Sequence, residues 1–136
     1  MPLTRATVTA SSRVMLPVYA CLSGYLGLCY AFGDPRRTAS PSLDVVREVL
    51  PGGISTWGGV LLALTAVEVA ALAAKSRRLM IVALCLGFAC YVAWACGIAA
   101  ASLTIPDASL TGPSVWLFIA VAHIASLQSL TKDSHG

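Results

Sequence analysis

The chain has 136 residues, of which 57% are hydrophobic and only 11% charged, and its formal net charge is +3. A soluble domain averages about 25% charged residues, and a soluble chain of this size cannot hide so much apolar surface and keep a wet exterior. The small positive charge is not gathered into a long Lys/Arg cluster or an aromatic-interleaved basic face, which excludes nucleic-acid binding.

Residues 1–13 are polar, rich in Ser, Thr and Arg, and read as a frayed tail. Four long apolar runs follow, roughly Val14–Phe32, Trp57–Ala74, Leu79–Ser102 and Ser114–Leu130. Each is long enough for a helix rising ~1.5 Å per residue to cross a ~30 Å hydrocarbon core. The first run is too long for a signal-peptide apolar segment and lacks a convincing cleavage site; the weak lipoprotein-like box ending at Cys21 has Tyr19 in a poor position. It reads as a retained span. Gly24 and Gly27 in it offer a close helix contact, and Gly33-Asp34-Pro35 ends it.

The connection over residues 34–56 carries a helix signal of its own. Ser40 suits an N-cap and Pro41 the first helical position. Leu43, Val46, Val49 and Leu50 recur at helical spacing on one face, while Asp44, Arg47 and Glu48 lie mainly on the other. Pro51-Gly52-Gly53 stops this amphipathic helix. It is expected to lie on the outer membrane surface, to pack over the helix ends, or to bind a partner.

Trp57 opens the second run and suits an interfacial anchor. Ala66, Ala70 and Ala74 in this run, and Ala89, Ala93, Gly97 and Ala101 in the third, form rows of small residues four apart. Such rows let helices approach closely in lipid, so a tight hairpin of spans 2 and 3 is expected about the basic turn Lys75-Ser76-Arg77-Arg78. Pro106, Asp107, Gly112 and Pro113 mark the next loop. The fold class is therefore all-α: a four-helix transmembrane bundle with a short amphipathic helix in the first outer loop, forming one integral membrane domain.

Orientation follows from the basic residues. Arg5, Arg13, Lys75, Arg77, Arg78 and Lys132 make six on one side, against three on the other, Arg36, Arg37 and Arg47, which are accompanied by Asp34, Asp44, Glu48 and Asp107. The positive-inside rule then places both termini in the cytoplasm, with residues 33–56 and 103–113 outside. All five cysteines (Cys21, Cys29, Cys85, Cys90 and Cys96) fall within the runs, without metal-ligand spacing, and read as small packing residues.

Glu68 lies eleven residues into span 2, about 17 Å from its outer end, where a carboxylate must be protonated, hydrated or paired. His123 lies nine residues into span 4, about 14 Å from the same membrane face, and is the natural partner if the two helices meet. Ser126 and Gln128 extend the polar character of span 4. These four residues suit either a proton- or cation-responsive site and pore lining, or a neutral hydrogen-bonded packing contact. There are only two histidines, no paired carboxylates, no nucleophile with a base at fixed spacing and no phosphate loop, so no enzyme, metal or cofactor site is expected.

The stretch from Ser40 to Pro51 (Ser-Pro-Ser-Leu-Asp-Val-Val-Arg-Glu-Val-Leu-Pro), followed shortly by Trp57-Gly58, resembles small four-span membrane proteins of actinobacterial bacteriophages, known as holins or holin-like proteins. That resemblance implies a protein of the bacterial inner membrane that contacts the lipid bilayer, self-associates and permeabilises the membrane during host lysis. A non-lytic accessory, such as a superinfection-exclusion protein binding a phage or host membrane protein, is the alternative. A small transporter is a third reading: small multidrug exporters also have four spans and one buried Glu, but carry it in the first span.

Overall fold

The structure, a computed structural model, describes residues 4–34, 43–44, 47–48, 52–105 and 111–132, with side-chain packing described from Val14 onward. Four helices dominate it: α1 (Thr4–Phe32), α2 (Gly53–Ala74), α3 (Arg77–Thr104) and α4 (Thr111–Lys132). All four contain stretches long and apolar enough to cross a membrane, and the chain is a multi-pass membrane protein with an all-α fold. Large apolar side chains such as Val18, Tyr25, Phe32, Leu103 and Phe118 stand exposed on the outside, as contact with lipid allows.

The polar segment before Val14 is not frayed as expected. The α1 helix starts at Thr4 and runs through it, since no Gly or Pro interrupts residues 4–16. Between α2 and α3 the chain turns within two residues. Lys75 adopts a left-handed conformation (φ 50°), and its N–H donates to the Leu72 carbonyl at 3.3 Å. Ser76 then caps α3 by accepting from the Leu79 N–H at 3.5 Å. At the same end of the bundle Arg77 donates to the Leu130 carbonyl at 2.7 Å, placing a cation on the otherwise open C-terminal carbonyls of α4. This end is the turn end below; the opposite one is the loop end.

The helices run up and down in a ring. The most extensive contacts pair α1 with α2 and α3 with α4; α2 meets α3, and α1 meets α4, over less of their length, so α2 and α4 face each other across the centre. In the first pair the backbones touch. A Cβ on Gly58 would strike the backbone of Tyr30 and Ala31, and one on Gly27 would lie 2.9 Å from the Leu62 side chain. Only glycine permits that approach.

The expected use of the alanine rows is overturned. Ala66, Ala70 and Ala74 on α2, and Ala89, Ala93 and Gly97 on α3, are exposed, and a Cβ on Gly97 would meet nothing within 4 Å. Of the seven row residues only Ala101 is buried, at 3% exposure, among Trp94 and Ile98. The reason is angular. The buried side of α2 runs through Gly58, Leu61, Leu64, Glu68 and Ala71; Ala66 stands two residues from Leu64 and from Glu68, and Ala70 two from Glu68, about 200° around the helix. On α3, Ala89 and Ala93 are likewise two residues from the buried Gly87, Tyr91 and Ala95. A four-residue step drifts about 40°, which brings the row inward by Ala101.

Three of the five thiols, Cys21, Cys85 and Cys96, are also exposed rather than packed inside, and all five are free. In the first connection Leu43, Asp44, Arg47 and Glu48 have helical backbone, and Arg47 pairs with Asp44 at 3.0 Å. Leu43 packs on the cluster of Trp94, Ile98 and Ala101 at the loop end. Val46, Val49 and Leu50 lie outside the described residues.

Candidate functional site: a buried polar centre

Each helix turns one stripe inward, and most of the buried polar side chains lie near mid-length. On α1 it includes Leu16, Tyr19, Ala20 and Ser23; on α2, Leu61, Leu64, Glu68 and Ala71; on α3, Leu84, Gly87, Tyr91 and Trp94; on α4, Ala120, His123, Ser126 and Leu130. Spacings of three and four residues keep each set on one face. Glu68, fifteen residues after Gly53, lies about 22 Å from the loop end, and His123, twelve residues after Thr111, about 18 Å. The polar groups therefore gather at one depth.

Glu68 and His123 meet across the bundle axis, although their helices are the ones that do not pack side by side. Both are 0% exposed, and His123 Nε2 stands 3.9 Å from Glu68 Oε1. That is ion-pair distance but longer than a hydrogen bond. The other ring nitrogen fixes the proton arrangement. His123 Nδ1 lies 2.8 Å from the Ile119 carbonyl, which can only accept, so Nδ1 carries a hydrogen and donates it. Nε2 is then the atom that faces the carboxyl group. Both Glu68 oxygens and His123 Nε2 are buried without a hydrogen-bond partner among the described residues. A buried polar group left so costs about 1–3 kcal/mol.

The imidazole is held on three sides. Tyr19 stacks on it with ring centroids 3.8 Å apart and planes within 20°. Tyr91 tilts against it at 5.3 Å. Gly87 lies beneath, where any Cβ would collide with Cδ2 and Nε2 of the ring. Two hydroxyl pairs flank the centre. Ser126 Oγ donates to the Ala122 carbonyl at 2.9 Å, so Tyr19 is the donor in its 3.0 Å contact with Ser126. Ser23 and Tyr91 share a second bond of 3.0 Å.

Apolar packing closes both ends of this centre. Toward the turn end lie Leu16, Ala71, Ala83, Leu84 and Leu130, with Met15, Met80 and Leu127 against them. Toward the loop end lies an aromatic cluster. Trp57 stacks on Trp94 at 4.9 Å, Tyr30 and Trp116 flank Trp94, and Tyr91 stacks on Trp116 at 5.9 Å. Trp57 is thus half-buried within the bundle and not simply an anchor facing the membrane surface; its indole N–H lacks a hydrogen-bond partner among the described residues.

Of the four polar residues singled out from the sequence, the structure brings Glu68, His123 and Ser126 together. Gln128 is exposed on the outer side of α4 and takes no part. Sequence reasoning missed Tyr19, Ser23, Gly87 and Tyr91. For three of them a signal was available: Tyr19 and Ser23 stand four apart on one face, and polar-tipped residues such as these and Tyr91 inside an apolar run need a partner. Among the described residues no three His, Cys, Asp or Glu side chains converge as metal ligands would. Chemically, the centre sets a carboxyl group against an imidazole nitrogen inside an otherwise apolar bundle.

No family model, no curated protein and no solved structure matches the chain.

Proposed function

We propose that the chain is a holin-like protein of bacteriophage type, which inserts in the bacterial inner membrane, self-associates and permeabilises the membrane during host lysis. The observation that carries the reading is the outward placement of the small-residue rows. Gly59, Ala63, Ala66, Ala70 and Ala74 on α2, and Ala89, Ala93 and Gly97 on α3, are unused inside the bundle and stand exposed on its outside. In lipid, where apolar burial gives helices no drive to associate, surfaces that admit close backbone approach favour contact between copies. The polar centre supplies the second need of a lesion, a surface that tolerates water, once the bundle parts and exposes it.

The test is inducible expression in a bacterium, with membrane potential and growth followed together. Collapse of the potential after a lag is expected. Ala93→Leu and Gly97→Leu should delay or abolish it while leaving the helical content of the purified protein unchanged, because both sites face away from the bundle. If strong expression leaves potential and growth untouched, a non-lytic accessory that binds a partner protein becomes the better reading.

The proposed orientation has both termini in the cytoplasm, with the basic turn Lys75-Ser76-Arg77-Arg78 on the same side. A cytoplasm-dependent reporter fused after Gly136 should be active, and the same reporter fused at Asp34 inactive. An active reporter at Asp34 reverses the orientation.

A further inference from the structure

The bundle divides into two halves. The α1/α2 and α3/α4 pairs have the most extensive contacts, and glycines bring their members together: Gly27 and Gly58 in the first, Gly87 beneath His123 in the second. The only short connection between the halves is the turn at Lys75 and Ser76, since the other two connections join helices within one half. Among the described residues, the polar contacts between side chains at the centre cross the seam: Tyr19 with Ser126, Ser23 with Tyr91, and Glu68 with His123. Tyr19 stacks on His123 across the same seam.

We propose that Glu68 and His123 together form a binding site for one proton, and that this proton latches the two halves of the bundle shut. With Nδ1 committed to the Ile119 carbonyl, the state of Nε2 and Glu68 decides the sign of the contact. One proton between them gives an attraction in either form, carboxylate with imidazolium or carboxylic acid with imidazole. With no proton, a bare carboxylate confronts the lone pair of Nε2 in a medium of low dielectric. With two, an uncompensated imidazolium lies buried. Both of those states cost free energy that water relieves, and water reaches the site only if the seam parts. The other titratable groups facing the pair are Tyr19 on α1 and Cys90 and Tyr91 on α3. Lys75, the nearest charged residue along α2, is seven residues away, about 10 Å. The latch goes beyond permeabilisation: it concerns the bundle of a single chain and is read without any lesion.

The experiment measures water access to the seam in the full chain reconstituted in phospholipid vesicles, with the five native cysteines replaced by Ala. Ser23→Cys or Ser126→Cys, both buried, reports on the seam, and the exposed Ser55→Cys serves as reference. Labelling by a water-soluble maleimide is expressed as the reporter-to-reference ratio at each pH, which cancels the pH dependence of the thiol reaction. The ratio is expected to be lowest at intermediate pH and to rise about tenfold toward both acid and alkali, as an open state populated at 0.1–10% gains population. Glu68→Gln, which retains a neutral donor for Nε2, should remove the alkaline rise. His123→Phe, which retains a ring for Tyr19, should remove the acid rise. If Ser23→Cys is labelled like the reference at every pH, that substitution has opened the seam itself, and Ser126→Cys decides. A ratio independent of pH, or rises that survive both substitutions, overturns the latch.

Discussion

Replacing Gly87 by Ala should destabilise the bundle by about 1–3 kcal/mol, the usual cost of forcing extra volume into a packed core. The added methyl would collide with Cδ2 and Nε2 of His123. A surface side chain would swing aside, but this ring has nowhere to go. Tyr19 covers one face at 3.8 Å, Tyr91 tilts against it, and its Nδ1 is tied to the Ile119 carbonyl. The clash must therefore push α3 away from α4 or break the contact with Glu68. Gly97→Ala on the same helix is the matched control: a Cβ there meets nothing within 4 Å, and Ala is the better helix former by about 1 kcal/mol. Unfolding of both variants in mixed micelles should show Gly87→Ala weakened and Gly97→Ala unchanged or strengthened. Equal stability of the two would mean that His123 is not confined as described.

The spans, the turn at Lys75 and the mid-depth level of Glu68 and His123 were legible in the sequence because each rests on a strong physical constraint. Hydrocarbon thickness fixes the run length, and a carboxyl group in an apolar run must find cover. The inward face of each helix was harder to read. In a soluble helix the polar side marks the outside, but lipid is as apolar as Leu, so a row such as Ala66, Ala70 and Ala74 identifies a face without saying whether it points inward. Glu68 is the marker that resolves this for α2. It lies two residues from Ala66 and from Ala70, so the row and the carboxyl group cannot both face the interior. Reading each helix outward from its polar residue also recovers Tyr19 and Ser23 on α1. Gln128 was misplaced for the same reason: it stands two residues from Ser126 and five from His123, which turns it to the outer side. The role of Gly87 was not legible, because it depends on which ring the neighbouring helix brings against it.

Removing His123 alone should be costly, and removing Glu68 with it should restore the stability. His123→Phe keeps an aromatic ring under Tyr19 but takes away the imidazole nitrogen at 3.9 Å from Glu68, leaving a buried carboxyl without that counterpart. Breaking one side of a buried ion pair costs about 3–5 kcal/mol, and a charged Asp at mid-membrane about 2.5–3.5 kcal/mol on insertion scales, so a loss of about 3 kcal/mol is expected. Adding Glu68→Met fills the space with an unbranched apolar side chain and removes the stranded group. The double variant should then be at least as stable as the native chain, since a well-packed apolar replacement of a buried pair is often neutral or stabilising. Three polar atoms without hydrogen-bond partners among the described residues, Oε1 and Oε2 of Glu68 and Nε2 of His123, disappear with the pair, which pushes in the same direction. A double-mutant cycle built on equilibrium unfolding measures the coupling directly. Strictly additive losses would mean that the 3.9 Å approach carries no interaction. A stable double variant whose seam no longer responds to pH would separate what the pair does for stability from what it does for control: the fold would tolerate its absence, and only the proton response would require it.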